Sequence, residues 1–375
     1  MTSKARGRVK SLVAFGIAGL LLVAFMAPAV ANNGNGQSNN GNQASVFSSN
    51  NDCQDAGDTD LTAVFVNESV IGESIDSGDH DCDMAIYFDD NAPSNSVVRD
   101  TTVAQTTDTH MRSVFGVRND GGNVRIIDSV FTSIEVSNQY VPIQFAEGAK
   151  GRIAGNEISG NHRAGIVVRG HGTSADVRNN EVTGSGQIGP SSGWAENGIQ
   201  VSYGATATVM NNVVSAHWWL GTDASSGILV FESDNVVVQG NALHGNEASI
   251  GIESWGGFGN QDATSVDGNH VVNNDISVGA GGSDGVSIIA FSLLGDASAE
   301  NNRVVNNRIT GDVGNPIGAP YAGVFVGAYD LSEGKFDVVV DNNKVIRNQI
   351  SGFSDDVEIV GDETAKVQAN VSPVD

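Results

Sequence analysis

Positive charge is what this chain has least of: 19 Lys and Arg stand against 44 Asp and Glu, for a formal net charge of −25. A surface of that sign repels nucleic acid and anionic membrane, so neither is expected as a partner. Long helix-period apolar stretches are nearly absent, which excludes helical repeats. Beyond the first segment no run is long and apolar enough to cross a bilayer, so membrane insertion of a processed chain is not expected. Histidines are scattered without the spacing of a zinc site. Cysteine is limited to Cys53 and Cys82. An even count in an exported chain argues for one disulfide, closing a loop of about 30 residues and contributing on the order of 3 kcal/mol.

The first 31 residues have the makeup of a secretory signal. Lys4, Arg6, Arg8 and Lys10 form a basic start, Leu12 to Ala27 is an apolar run of 16 residues, and Ala29-Val30-Ala31 offers small residues for cleavage near Ala31/Asn32. Such a run is short for a membrane span of about 20 residues. Residues 1–31 are therefore read as a signal peptide and the remainder as secreted, extracellular and soluble. Removing four basic residues leaves 15 (19 − 4) against 44 acidic, or −29, a balance that suits either a high-salt habitat or divalent cation binding.

Residues 32–51 are rich in Asn and Gly and read as a flexible linker. Short β-like runs such as Thr62–Val66 and Met84–Phe88 follow between acidic turns, and residues 52–96, pinned by Cys53–Cys82, read as an N-terminal cap. A stacked array needs its end covered. From 97 to 365 the chain repeats, with a tail at 366–375. An Asn-x-[Ile/Val/Leu] turn recurs at Asn156, Asn180, Asn212, Asn241, Asn274, Asn307 and Asn348, with Asp128-Ser-Val130 as a degenerate copy. A Gly-Ile-x-Val strand recurs at Gly165, Gly198, Gly227, Gly251, Gly285 and Gly323. Successive Asn positions are 24, 32, 29, 33, 33 and 41 residues apart; the minimum sets the coil and the excess is loop.

Alternation places Ile158, Val182, Val214, Leu243, Ile276, Ile309 and Ile350 on one inward ladder, with coils about 4.8 Å apart. Ile166, Ile199, Ile228, Ile252, Val286 and Val324 are expected to form another. Asn at the bend accepts the left-handed conformation, and its amide bonds its counterparts above and below. The fold class is all-β, a parallel β-helix (solenoid). On these motifs residues 97–365 resemble the right-handed parallel β-helix repeat family, the pectin-lyase-like superfamily of pectate lyases, polygalacturonases, alginate-modifying epimerases and many secreted proteins without known activity. The stretch from Gly198 to Asn241 resembles uncharacterised exported bacterial and archaeal members. That resemblance implies the right-handed sense of the coil.

Loop insertions flank the Gly-Ile-x-Val sheet, which points to a loop-walled groove. Trp194, Trp218, Trp219, Trp255, Tyr321 and Tyr329 lie in or beside those loops, with Glu196, His171 and Arg169 nearby. Aromatic faces with carboxylates suit carbohydrate, and the competing reading is that the tryptophans plug the sheet beneath the loops. Catalytic candidates are Glu232 and Glu253, a carboxylate pair from consecutive coils suited to glycoside hydrolysis, and Arg169 and His217, suited to proton abstraction from a uronate. The paired-Asp strand of polygalacturonases, the Asp-Pro-His-Asp element of alginate epimerases and the Asp-Asp plus Arg arrangement of pectate lyases are not found. Asp76, Asp79, Asp81 and Asp83 alternate around glycine as in calcium loops, making Ca2+ the candidate cofactor. The expected function is binding of a polysaccharide or surface glycan, with a polysaccharide lyase, epimerase or glycoside hydrolase as one alternative and a structural or surface-adhesion protein as the other.

Overall fold

The structure, a computed structural model, describes residues 53–56, 61–76, 82–105, 115–133, 140–160, 162–187, 195–219, 225–256, 265–292, 294–311, 322–361, 364–368 and 370. Every regular element in it is a strand. Three long sheets of 12, 11 and 10 strands run the length of the molecule, each formed from one strand per coil. In one coil Val141–Ala146 joins the 12-stranded sheet, Lys150–Ala154 the 11-stranded sheet and Glu157–Gly160 the 10-stranded sheet, and Ala164–Arg169 then begins the next. This is a right-handed parallel β-helix. The sequence reading had two strands per coil. The third, exemplified by Ser174–Arg178 and Thr206–Met210, lies just before the Asn turn and sends only two side chains inward, too few to stand out as a motif.

The Asn-turn ladder is as expected. Phe131, Ile158, Val182, Val214, Leu243, Ile276, Ile309 and Ile350 align from coil to coil, all with no exposed surface. Val130 of the degenerate copy is off the ladder by one place, because Phe131 pairs with Ile158 and Ser129 takes the Asn position, its amide donating to Asn156 Oδ1 at 3.1 Å. Thr101 does the same one coil earlier, donating to Ser129 Oγ at 3.3 Å.

The two tasks assigned to one Asn are divided between neighbours. Asn179, Asn211, Asn273 and Asn306 take the left-handed backbone, with φ of 54–57°. The residues after them, Asn180, Asn212, Asn274 and Asn307, are buried and stack. Each side-chain Oδ1 accepts both the backbone N–H and the Nδ2–H of the preceding Asn, as Asn241 Oδ1 does from Asn212 at 2.9 and 3.0 Å. Each Nδ2 also donates to a main-chain carbonyl, as Asn212 does to Val177 at 3.1 Å. The ladder thereby satisfies polar groups that the coil buries at every turn. A shorter one, Asn269 to Asn302 to Asn343, runs along another corner.

Cys53 and Cys82 are bonded, with Cα atoms 5.7 Å apart. The segment they pin is wound in continuity with the coils: Thr62–Val66 pairs parallel with Met84–Phe88, which pairs with Phe115–Asp120. The antiparallel strand Gln54–Asp55 lies across Thr62–Val66 and covers the edge that parallel addition would leave open. Reduction of the disulfide is expected to lower stability by about 3 kcal/mol, read as a lower urea midpoint with reductant present; coincident transitions would refute it.

Candidate functional site

The outer face of the 12-stranded sheet brings most of the chemically useful side chains together. In each strand the residues between the inward Ile and Val positions point out. One outward row runs Val167, Gln200, Leu229, Gly251, Ser287, Phe325. The next runs Arg169, Ser202, Phe231, Glu253, Ile289, Gly327, and a third runs Trp255, Phe291, Tyr329. This corrects the sequence register by two residues at one coil. Ile250, not Ile252, continues the ladder of Ile228, and Gly251 faces outward opposite Leu229. The residue following Ala248, Ser249, takes the corner position of Gly227, since Ser226 pairs with Ala248; a small polar residue fills that corner as glycine does elsewhere. At position 251 an added Cβ would meet the Glu253 carboxylate at 2.9 Å, so the outward glycine makes room for that side chain.

Rings follow one another along this face. The Arg169 guanidinium lies 5.5 Å from the centre of the Tyr203 ring. Tyr203 meets Phe231 edge-on at 5.5 Å, Phe231 meets Trp255 at 6.0 Å, and Trp255 meets Phe291 at 5.4 Å. Phe291 stacks on Tyr329 at 5.1 Å, and Phe325 stacks on Tyr329 at 6.3 Å. Phe231, Phe291, Phe325 and Tyr329 are nearly covered, at 4–8% exposure. Tyr203 and Trp255 are half-buried, as are Arg169, Gln200, Leu229 and Glu253. The accessible part of the face is thus a patch on four consecutive coils, backed by covered rings that fix its shape. The Trp255 indole N–H donates to Glu253 Oε2 at 3.1 Å, holding ring and carboxylate together.

Carboxyl groups around the patch are driven toward their protonated forms. Glu232, in the turn after Phe231 with a φ of 47°, is fully covered. Burial pushes its pKa to about 8, offset only in part by the Trp255 amide. Apart from the Trp255 N–H, no donor among the described residues approaches either of its side-chain oxygens. Burial likewise pushes Asp284 to about 7; the Ala322 N–H opposes this, and the charges of Glu358 and Glu253 add to it. Tyr203 is raised first by burial and then by the Glu232 charge. Arg163 is lowered to about 10, chiefly by burial, and Arg169 contributes to the lowering.

Of the sequence candidates, Arg169, Glu232, Glu253, Trp255 and Tyr329 therefore share this face or its adjoining turn. His217 does not. It is fully buried, its Nδ1 3.1 Å from Asn246 Oδ1 and its Nε2 3.2 Å from His162 Nε2. Trp218 and Trp219 expose 6% and 4%; the Trp218 indole N–H donates to the Gly245 carbonyl, and the Trp219 amide donates to Glu247 at 2.9 Å. Both side chains are spent on covering the coil. Trp194, Tyr321, Asp79 and Asp81 lie outside the described residues. Asp76 sits on a strand of the 10-stranded sheet, whereas Asp83 immediately precedes the strand Met84–Phe88 of the 12-stranded sheet and accepts from the Thr62 N–H and Oγ1–H at 2.9 and 3.0 Å. Tyr203, Arg163 and Asp284 were not singled out from sequence. Tyr203 had a signal: it holds the place in its coil that Glu232 holds in the next, since Ser202 pairs with Phe231.

The family model described as right handed beta helix region matches residues 141–345. The chain belongs to the right-handed β-helix family. Among solved structures, the A-module of the mannuronan C-5 epimerase AlgE6 of Azotobacter vinelandii is 17% identical, with 83% of this chain and 76% of that one covered and a TM-score of 0.38. The Dettilon tailspike protein is 16% identical over 80% of this chain and 61% of its own, with a TM-score of 0.39. The periplasmic alginate epimerase AlgG is 14% identical over 81% and 78%, with a TM-score of 0.27. No curated protein sequence matches the chain.

Proposed function

We propose that this β-helix protein binds a polysaccharide along the outer face of its 12-stranded sheet. The observation that carries the reading is the half-buried patch of Arg169, Gln200, Tyr203, Glu253 and Trp255. It sets an indole and a phenol beside a guanidinium, an amide and a carboxylate, on strands about 4.8 Å apart. Ring faces take the apolar faces of sugars, while the polar groups accept from and donate to hydroxyls. A face of parallel strands repeats this chemistry in the direction in which a chain of sugars would repeat its own. In this reading residues 1–31 direct export, and the ligand is met outside the cytoplasm.

The test is a glycan array with purified protein, followed by titration of any glycan retained. Trp255→Ala is expected to weaken binding by about tenfold, the loss of roughly 1.4 kcal/mol of ring contact. Retention of no glycan, or equal binding by the variant, would overturn the proposal.

Glu232 favours a second reading, an enzyme acting on the bound polysaccharide. A carboxyl group that keeps its proton near neutral pH, adjoining the coil that carries Glu253, is the acid of a general acid–base pair. Incubating bound polysaccharides with the protein and following chain length and unsaturated products tests it; binding without any product counts against it.

A further inference from the structure

Basic residues are scarce in this chain, yet the 11-stranded sheet gathers them. Among the described residues its strands carry eight Arg and Lys and one acid, Asp176. The strands of the 12- and 10-stranded sheets together carry three basic and eleven acidic residues. The net charge of −25 is therefore not spread evenly, and one face of the solenoid has the opposite sign.

Register brings these side chains into a single file. Arg125 pairs with Arg152. The same outward place, followed down the sheet, is held on its last four coils by His270, Arg303, Lys344 and Lys366. Thr208 and Val237 between the two groups are uncharged, and Asp176, the one acid in the file, is paired with Arg178 of its own strand at 2.5 Å. At about 4.8 Å per coil the file is about 40 Å long.

These charges are left open to solvent. Arg125, Arg152, Arg303 and Lys366 are exposed, and His270 and Lys344 are half-buried. Among the described residues no ion pair uses Arg125, Arg152, Arg303, Lys344 or Lys366. Like charges opposite one another on adjacent strands are destabilising. His270 registers the effect, its pKa lowered first by burial and then by the Arg303 charge. With 44 acidic residues in the chain, a face that had only to be solvated would interleave the two signs. This arrangement instead suits a partner that brings the missing negative charge.

The neighbouring row tells which partner. In Arg303–Val305 and Lys344–Ile346 only the first and third residues face outward, so the strip is two side chains wide. Its second row is neutral and mostly aliphatic, with Met210, Val272, Val305 and Ile346 half-buried along it. A strip this narrow seats a thread rather than a folded protein, whose interface needs about 800 Å² a side. Single-stranded nucleic acid would call for aromatic platforms, and the strands of this sheet contain no Phe, Tyr or Trp. A sugar ring bearing an acidic group matches both rows, its C–H face against the aliphatic side chains and its carboxylate or sulfate against the cations.

We propose that the outward face of the 11-stranded sheet binds an acidic polysaccharide lying along the solenoid axis, with its anionic groups on Arg303, Lys344 and Lys366. This site is separate from the patch on the 12-stranded sheet and does not depend on it.

The full chain is titrated with carboxymethyl-dextran, dextran sulfate, unmodified dextran and a thymidine oligonucleotide, all at low salt. At least one acidic dextran is expected to bind, the two arms telling carboxylate from sulfate, and to weaken by roughly tenfold or more between about 50 and 200 mM salt. Arg303→Glu/Lys344→Glu should weaken it by at least about tenfold. Arg308→Glu/Lys335→Glu, which changes the net charge equally on other surfaces, should leave the affinity unaltered. Retention of neither acidic dextran, equal retention of unmodified dextran, tighter binding of the oligonucleotide, or equal losses in the two double variants would overturn the proposal. If the charge reversal does not fold, Arg303→Gln/Lys344→Gln against Arg308→Gln/Lys335→Gln decides by the same comparison. Every substitution lies off the 12-stranded sheet, so failure here leaves the reading of that sheet's patch standing.

Discussion

Asn212→Ala is expected to lower the unfolding free energy by about 4–5 kcal/mol, because it strands buried donors, removes a bond to a carbonyl and leaves a cavity. Asn212 Oδ1 accepts the backbone N–H and the Nδ2–H of Asn180, both at 2.9 Å. Its own Nδ2 donates to Val177 and Asn241 at 3.1 and 3.0 Å. Removal leaves two buried N–H donors without partners, each costing about 1–3 kcal/mol, and takes from the Val177 carbonyl the bond that Asn212 makes to it. The same change at exposed Asn235 or Asn301, which are outside the ladder's stacked column, should cost a small fraction of this. Asn212→Asp distinguishes hydrogen bonding from volume. A carboxylate keeps the acceptor toward Asn180 but sets a second oxygen against the Val177 carbonyl and Asn241 Oδ1, so the variant should be unstable at neutral pH and partly restored in acid, where a protonated oxygen can donate. Urea unfolding at pH 7 and pH 5 checks both; a cost below about 1 kcal/mol for Asn212→Ala would show that the ladder is not a stabilising element.

The second large effect is a loss of stability in mild alkali. Glu232 is pushed to about 8 and Asp284 and Glu196 to about 7, in each case first by burial. A carboxyl whose folded value is raised contributes stability fully below its unfolded value, and the contribution is lost as pH rises through the folded value. All three therefore favour the folded chain less as pH climbs from about 4.5 to 8, at up to about 1.4 kcal/mol per pH unit for each group still protonated. The histidines act with the opposite sign. His217 is lowered to about 4 and His162 is also lowered, both chiefly by burial, so their contribution is present above about 6.5 and is lost as pH falls through the folded values. Stability should peak on the acid side of neutrality, near about pH 5, and decline by several kcal/mol toward pH 9. Thermal melts across pH 4–9 test this, and Glu232→Gln should flatten the alkaline limb. A plateau from pH 6 to 9 in the unaltered chain would refute the assignment of Glu232 as a buried acid.

How much was legible in the sequence differed between inside and outside. Val182, Val214 and Leu243 announce an inward ladder because a solenoid repeats one steric requirement each coil, and repetition survives in sequence as a period. The signal weakens where another residue meets the same requirement. Ser129 and Thr101 serve the Asn position with a hydroxyl, and Ser249 serves a glycine corner, which is why the register slipped at Gly251 and Val130. The outer patch has no such period, since its side chains answer to a ligand or to one another rather than to the coil.

The sequence by itself determined the parallel β-helix, the Asn column and the bond between Cys53 and Cys82, because each rests on a local rule applied again and again or on a pair with no other partner. Only the tertiary structure decided where isolated side chains point. It brought Tyr203 to the outer face that carries Glu253 and Trp255, and turned His217 inward to His162, a partner 55 residues away. Such meetings depend on the length of every intervening loop, and loop lengths vary from coil to coil without a rule that the sequence displays.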